Sequence, residues 1–170
     1  AFQPSMQLPT IGVNHKRKSK EDGDVYDMAP GMFTVTREVS GEKVTVSMGP
    51  EFTAVILRVR KRLSAYISDT ERWSSPEFDN PNEMISVTDA AGQEVLRNFA
   101  KLVPNLKQFG PKGDTWLKVS NVLYILLDTQ VYRMYVRGVS GKEFRKFLRR
   151  RGSEPLPTVY VKFTLTRETK

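Results

Sequence analysis

The chain has 170 residues, 39% of them hydrophobic and 27% charged, with no cysteine, one histidine and a formal charge of +8. That size and balance suit one soluble globular domain, while the missing thiols exclude disulfides and thiolate metal sites. No run of roughly 18 apolar residues occurs and no secretory h-region opens the chain, so a cytoplasmic location without a membrane span is expected. The positive charge favours polyanionic partners, nucleic acid before anionic membrane surface.

Residues 1–28 lack periodicity and carry "HKRKSKEDGD", four cations followed by three acids. They read as a flexible arm ahead of one folded domain over 29–170. Order is expected to begin near Pro30. "MFTVTREV" and "EKVTVSM" alternate with period two around Ser40-Gly41, the pattern of a β-hairpin with Phe33, Val35 and Val39 on one face. The segment from Phe52 to Ile67 would span about 50 Å as one strand, so it is expected to bend or coil.

Residues 69–83 read as a long polar loop with two large aromatics, Trp73 and Phe78. Each is either a stacking platform or a hydrophobic pin. "MISVTD" reads as a short strand. Val95, Leu96, Phe99, Leu102 and Val103 then fall at helical spacing between Asp89, a suitable N-cap, and Pro104. A second hairpin is expected around Asp128-Thr129. The spacing predicts a second helix with Ser140 and Glu143 as a capping box, Phe144, Phe147 and Leu148 as its apolar stripe, and Gly152 as its end. "TVYVKFTLTRE" reads as the last strand. The expected class is mainly β, an antiparallel, OB-fold-like β-barrel with two short α-helices.

Strand parity sorts the charges by face. Between Phe52 and Ile67 the odd positions Val55, Leu57, Val59, Leu63 and Ile67 form the expected core face. The even positions then project Arg58, Arg60, Arg62 and Tyr66, with the arginines about 6.6 Å apart. Arg133, Tyr135 and Arg137 repeat this mixture on the second hairpin, and Tyr160 and Lys162 on the last strand. Cations that track a backbone and rings that stack on unpaired bases are how single-stranded nucleic acid is held. A solvated strand face rich in tyrosine has the same composition, so the recurrence over three strands, not any one strand, points to binding. The segment "KEFRKFLRRR" fits either a solvated helix face or a binding role.

Little suggests catalysis. His15 lies in the arm, which disfavours a histidine triad or metal site. Neither "GPKGDT" nor "GVSGKE" completes a P-loop. Glu77, Asp79 and Glu83 could hold Mg²⁺ in a nuclease, but their Pro- and Asn-rich setting fits a solvated loop better. No enzyme activity, cofactor or metal is expected.

From about Phe52 onward the chain resembles the small single-stranded-DNA-binding proteins of bacteriophages and related mobile elements, built on the OB-fold. The resemblance rests on "ILRVRKRLSAYI", "RWSSPEF", "LKVSNVLYILLDTQVYRMYVRG" and "VYVKFTLT". It implies a partly open barrel that binds nucleic acid across one face, with Arg58, Arg60, Arg62, Tyr66, Arg133, Tyr135 and Arg137 on that face. It also implies a part in DNA replication or recombination. The second helix before the last strand departs from that family's pattern, as does a chain end reading "LTRETK" in place of an acidic tail. The expected partner is single-stranded DNA, with RNA as the alternative and self-association along the strand. A structural subunit of a nucleoprotein or virion assembly is the rival reading.

Overall fold

The computed structural model describes residues 8–13, 32–105, 107–108 and 115–165. The basic–acidic run from His15, most of "GPKGDT" and the side chain of Trp116 lie outside the described set. The described residues are mostly β, with one α-helix, and their sheet is open. The chain divides into two compact units: residues up to 58 with 123–135 and those from 154 on, and residues 59–122 with 136–153. No described helix is long and apolar enough to cross a membrane.

The first unit contains β1 (Thr10–Val13), β2 (Phe33–Val39), β3 (Glu42–Gly49) and the first half of β4 (Glu51–Tyr66). It also takes the end of β10 (Lys118–Leu127), nearly all of β11 (Gln130–Val136), and β12 (Val161–Thr164). The hydrogen-bonded order is β3-β2-β1-β11-β10-β4, with β12 antiparallel to β4. β2 and β3 form the expected hairpin. Its two-residue loop, Ser40-Gly41, has φ 51° and 82°, the pair of positive values that matches a two-residue turn to strand twist. Nothing lies within 4 Å of a Cβ at Gly41, so Gly41→Val meets only backbone strain. Urea unfolding should show a loss of about 1–2 kcal/mol, the cost of left-handed backbone for a side chain, while Gly41→Asn stays near wild type.

The reading of residues 1–28 as an arm is corrected at β1. Ile11 stands opposite Val35 of β2 in antiparallel register and Met134 of β11 in parallel register, so β1 is an interior strand. Its burial joins that of Phe33, Val35, Ala54, Ile56, Leu123, Ile125, Tyr132 and Met134. Phe52 continues this packing, edge-on to Phe33 at 4.9 Å and stacked on Phe163 at 4.6 Å.

The second unit is built on the meander β4-β5-β6-β7, with β5 at Arg72–Ser74, β6 at Met84–Thr88 and β7 at Glu94–Phe99. A 3-10 turn at Val103–Asn105 and a small ladder of β8 (Lys107–Gln108) with β9 (Thr115–Trp116) precede β10. The core joins Leu63, Ala65, Trp73, Phe78, Ile85, Val87, Ala100, Val103 and Leu117.

The helix expected over 90–103 is instead a turn, the strand β7 over Glu94–Phe99 and a further turn. The Asp89 carboxylate accepts from the N–H groups of Ala91 and Gln93, both at 2.9 Å, and Gly92 adopts φ 81°. "DAAGQ" is therefore a turn that returns β7 antiparallel to β6, with Val87 opposite Leu96. Pairing with β6 satisfies the backbone that a helix would have satisfied internally. The one helix, α1 (Gly138–Arg151), begins two residues before Ser140, with Arg137 at the N-cap and no side-chain cap. Ser140 thus lies in the first turn, and Gly152, at φ 65°, ends the helix as expected.

The face assignment along β4 also changes. In the first unit the even residues Ala54 and Ile56 are buried and Leu57 is exposed; in the second, the odd residues Leu63 and Ala65 are buried. Each half of the strand buries the side chains that its own unit covers, so one parity does not hold for all 16 residues.

Candidate nucleic-acid interface

The expected binding residues divide between the units. Arg58, Arg133, Tyr135, Tyr160 and Lys162 belong to the first; Arg60, Arg62, Tyr66, Trp73, Phe78 and Arg137 belong to the second.

In the second unit, the chain after β5 runs back along β4. Lys61 and Phe78 exchange backbone hydrogen bonds of 2.9 and 2.8 Å, and Ser75 donates its N–H to the Leu63 carbonyl at 2.9 Å. Two of the expected phosphate ligands hold this segment. Arg60 donates through Nε to Asp79 Oδ1 at 3.1 Å and through Nη2 to the Glu77 carbonyl at 3.2 Å. Arg62 Nε donates to the Ser75 carbonyl at 3.1 Å. Both guanidinium groups are half-buried against residues 75–79, a positioning role that strand parity alone does not reveal.

That segment carries the two loop aromatics inward. Trp73 is 5% exposed and Phe78 4%, so both are hydrophobic pins and neither offers a face for stacking a base. Trp73 Nε1 donates to Glu71 Oε1 at 3.1 Å, which satisfies its polar edge. The acids beside them serve the backbone: Glu83 Oε2 accepts from the N–H groups of Asp79 and Asn80 at 2.9 and 2.8 Å. No group of three His, Asp or Glu side chains suited to a metal occurs among the described residues.

Tyr66 differs from them. It ends β4, is 58% exposed, and pairs in register with Arg72 of β5. The Arg72 guanidinium lies 5.5 Å over its ring, and its hydroxyl donates to Asp69. That bond favours the neutral phenol and pushes its pKa up, burial adding a little and Arg72 opposing. Arg137, exposed, sits where β11 passes into α1.

In the first unit Arg58 is exposed, Tyr135 is half-buried, and Arg133 places its guanidinium 5.6 Å over the ring of Tyr124. Tyr160 is 81% exposed, and the neighbouring Lys162 reaches Glu51 Oε2 at 3.3 Å. Arg37 lies 5.4 Å over the ring of Tyr132 and donates to its hydroxyl at 2.9 Å. Arg37, Arg72 and Tyr124 were not expected at these contacts. Cross-strand register brings each to its partner, and that register is not visible in any single strand.

Comparison with family models, curated proteins and solved structures returned no match to this chain.

Proposed function

We propose that this chain is a non-catalytic, largely sequence-independent binder of single-stranded DNA that protects or organises DNA in replication or recombination, its β-rich architecture being a variant of the OB theme. The observation that carries the reading is the exposed Tyr66 ring beside Arg72 on a chain of formal charge +8. A tyrosine open to solvent with a guanidinium at its face supplies both elements of single-strand binding, a surface for stacking and a cation for the phosphate. Tyr160, the most exposed large hydrophobic side chain described, offers a similar surface in the first unit.

A competition titration of single-stranded DNA, duplex DNA and RNA over a salt series tests this. Single-stranded DNA should win, with log K falling linearly in log salt. Tyr66→Ala and Tyr160→Ala should each weaken binding by about 1–3 kcal/mol per stacked base lost, leaving the salt slope unchanged. Equal affinity for single strand and duplex would reject stacking.

That outcome would favour the second reading, a subunit of a nucleoprotein assembly. The observation behind it is β3, an edge of the described sheet, on which Val44 and Val46 are exposed. An exposed edge with β-branched apolar residues is suited to pairing with another chain.

A further inference from the structure

Outside β4, the densest run of cations in the described chain is on α1. Lys142, Arg145, Lys146, Arg149 and Arg150 are all exposed. At 100° per residue these five positions fall within an arc of about 140°, and they extend about 12 Å along the axis. The opposite side of the helix is occupied: Phe144 is buried, Phe147 and Leu148 are half-buried, and Phe147 packs 6.0 Å from Phe144 and beneath the Arg151 guanidinium. Glu143 is the helix's one acid, at the margin of the cationic arc, where it meets Lys146 at 3.2 Å. An exposed pair of this kind contributes little and leaves the arc strongly positive.

We infer that the exposed face of α1 is the main phosphate-binding surface of the chain, taking the backbone of a nucleic acid strand. This rests on the reading of the chain as a single-strand binder and moves the electrostatic contacts away from Arg60 and Arg62, which are engaged with residues 75–79. Three features select a nucleic acid backbone. The cations recur on successive turns, about 5.4 Å apart, within side-chain reach of consecutive phosphates. Arg149 and Arg150 lie in the last turn of the helix, where the dipole favours cations and offsets part of their crowding. Phe144 is buried and Phe147 and Leu148 are half-buried, so the helix lacks the open apolar face that an interfacial membrane helix inserts into a bilayer. Contacts made by charge alone carry no sequence information, in keeping with sequence-independent binding.

The test replaces the five cations together by glutamine, which removes the charge while keeping a polar, unbranched side chain of similar helix propensity. A control variant of equal charge replaces Lys43, Lys61, Arg97, Lys101 and Lys118, all exposed and on other elements, by glutamine. Circular dichroism establishes that each variant is folded; if the five-fold helix variant is not, Arg145→Gln and Arg149→Gln are measured singly. Binding of a labelled oligothymidine is followed over a salt series, with phosphatidylserine vesicles titrated in parallel. Each phosphate contact on a single strand contributes about 0.7 to the slope of log K against log salt. The helix variant should lose up to about 3.5 from the slope, a single replacement about 0.7, and the control close to none.

Equal losses in the helix variant and the control, or an unchanged slope in the helix variant, would overturn this inference while wild-type binding keeps the broader reading intact. Wild type that ignores oligothymidine, whether or not it binds vesicles, would overturn both.

Discussion

Trp73→Ala should lower the free energy of unfolding by about 3–5 kcal/mol, the range for truncating a large buried aromatic. The ring is packed in a core with Leu63, Phe78, Ile85, Val87 and Leu117. Its removal forfeits the transfer of a large apolar surface and leaves a cavity that the flanking strands cannot fill. The short strand that carries it, Arg72–Ser74, has few other anchors, so β5 should be the first element to loosen. Trp73→Phe keeps most of the packing and loses the bond to Glu71, so its cost should be well below that of alanine. Urea denaturation followed by circular dichroism measures both. A stacking platform would behave in the opposite way, with unchanged stability and reduced affinity for single-stranded DNA. Tyr66→Ala supplies that contrast, since an exposed ring should affect binding and leave the urea midpoint nearly in place.

The second large effect is expected at β1. Ile11→Ala should cost about 2–5 kcal/mol, as for other fully buried aliphatic side chains, because Ile11 is 2% exposed. Deleting residues 1–13 should be more severe. It would uncover the hydrogen-bonding edges of both β2 and β11 and remove the Pro9 carbonyl that accepts from Arg133 N–H at 3.0 Å. Each backbone group left without a partner in the interior carries a desolvation penalty of its own. Thermal melts of the two variants against the full chain measure this. A melting temperature unchanged by the deletion would show that "TIGV" is dispensable to the fold.

Much of the strand framework was legible from local pattern. Period-two alternation around Ser40-Gly41 and around Asp128-Thr129 located both hairpins, and Gly152 marked the end of α1, because turns and caps depend on φ preferences carried by the residues themselves. The 90–103 segment misled because Val95, Leu96 and Phe99 satisfy a helical spacing while "DAAGQ" contains a turn whose Asp89 side chain binds its own loop. β1 is not legible in the sequence because four residues are too few to show a period, and its pairing partners lie 20 or more and more than 120 positions away.

Of the candidate site, residue types were readable and environments were not. Net charge, the paucity of chemistry-bearing side chains, and the recurrence of cation with aromatic on several strands are properties of composition and order. Which tyrosine faces solvent, which arginine holds residues 75–79, and which aromatic is a pin depend on neighbours brought together from distant positions. A strand's alternation states only that two faces differ. The covering elements decide which face is inside, and along β4 that decision reverses between Ile56 and Leu63. The amino-acid sequence by itself therefore determined a basic, strand-rich chain with its hairpins in place; only the tertiary structure decided that Trp73 and Phe78 are core and that Tyr66 and the cations of α1 face solvent, because burial is a property of the surroundings of a residue and not of the residue.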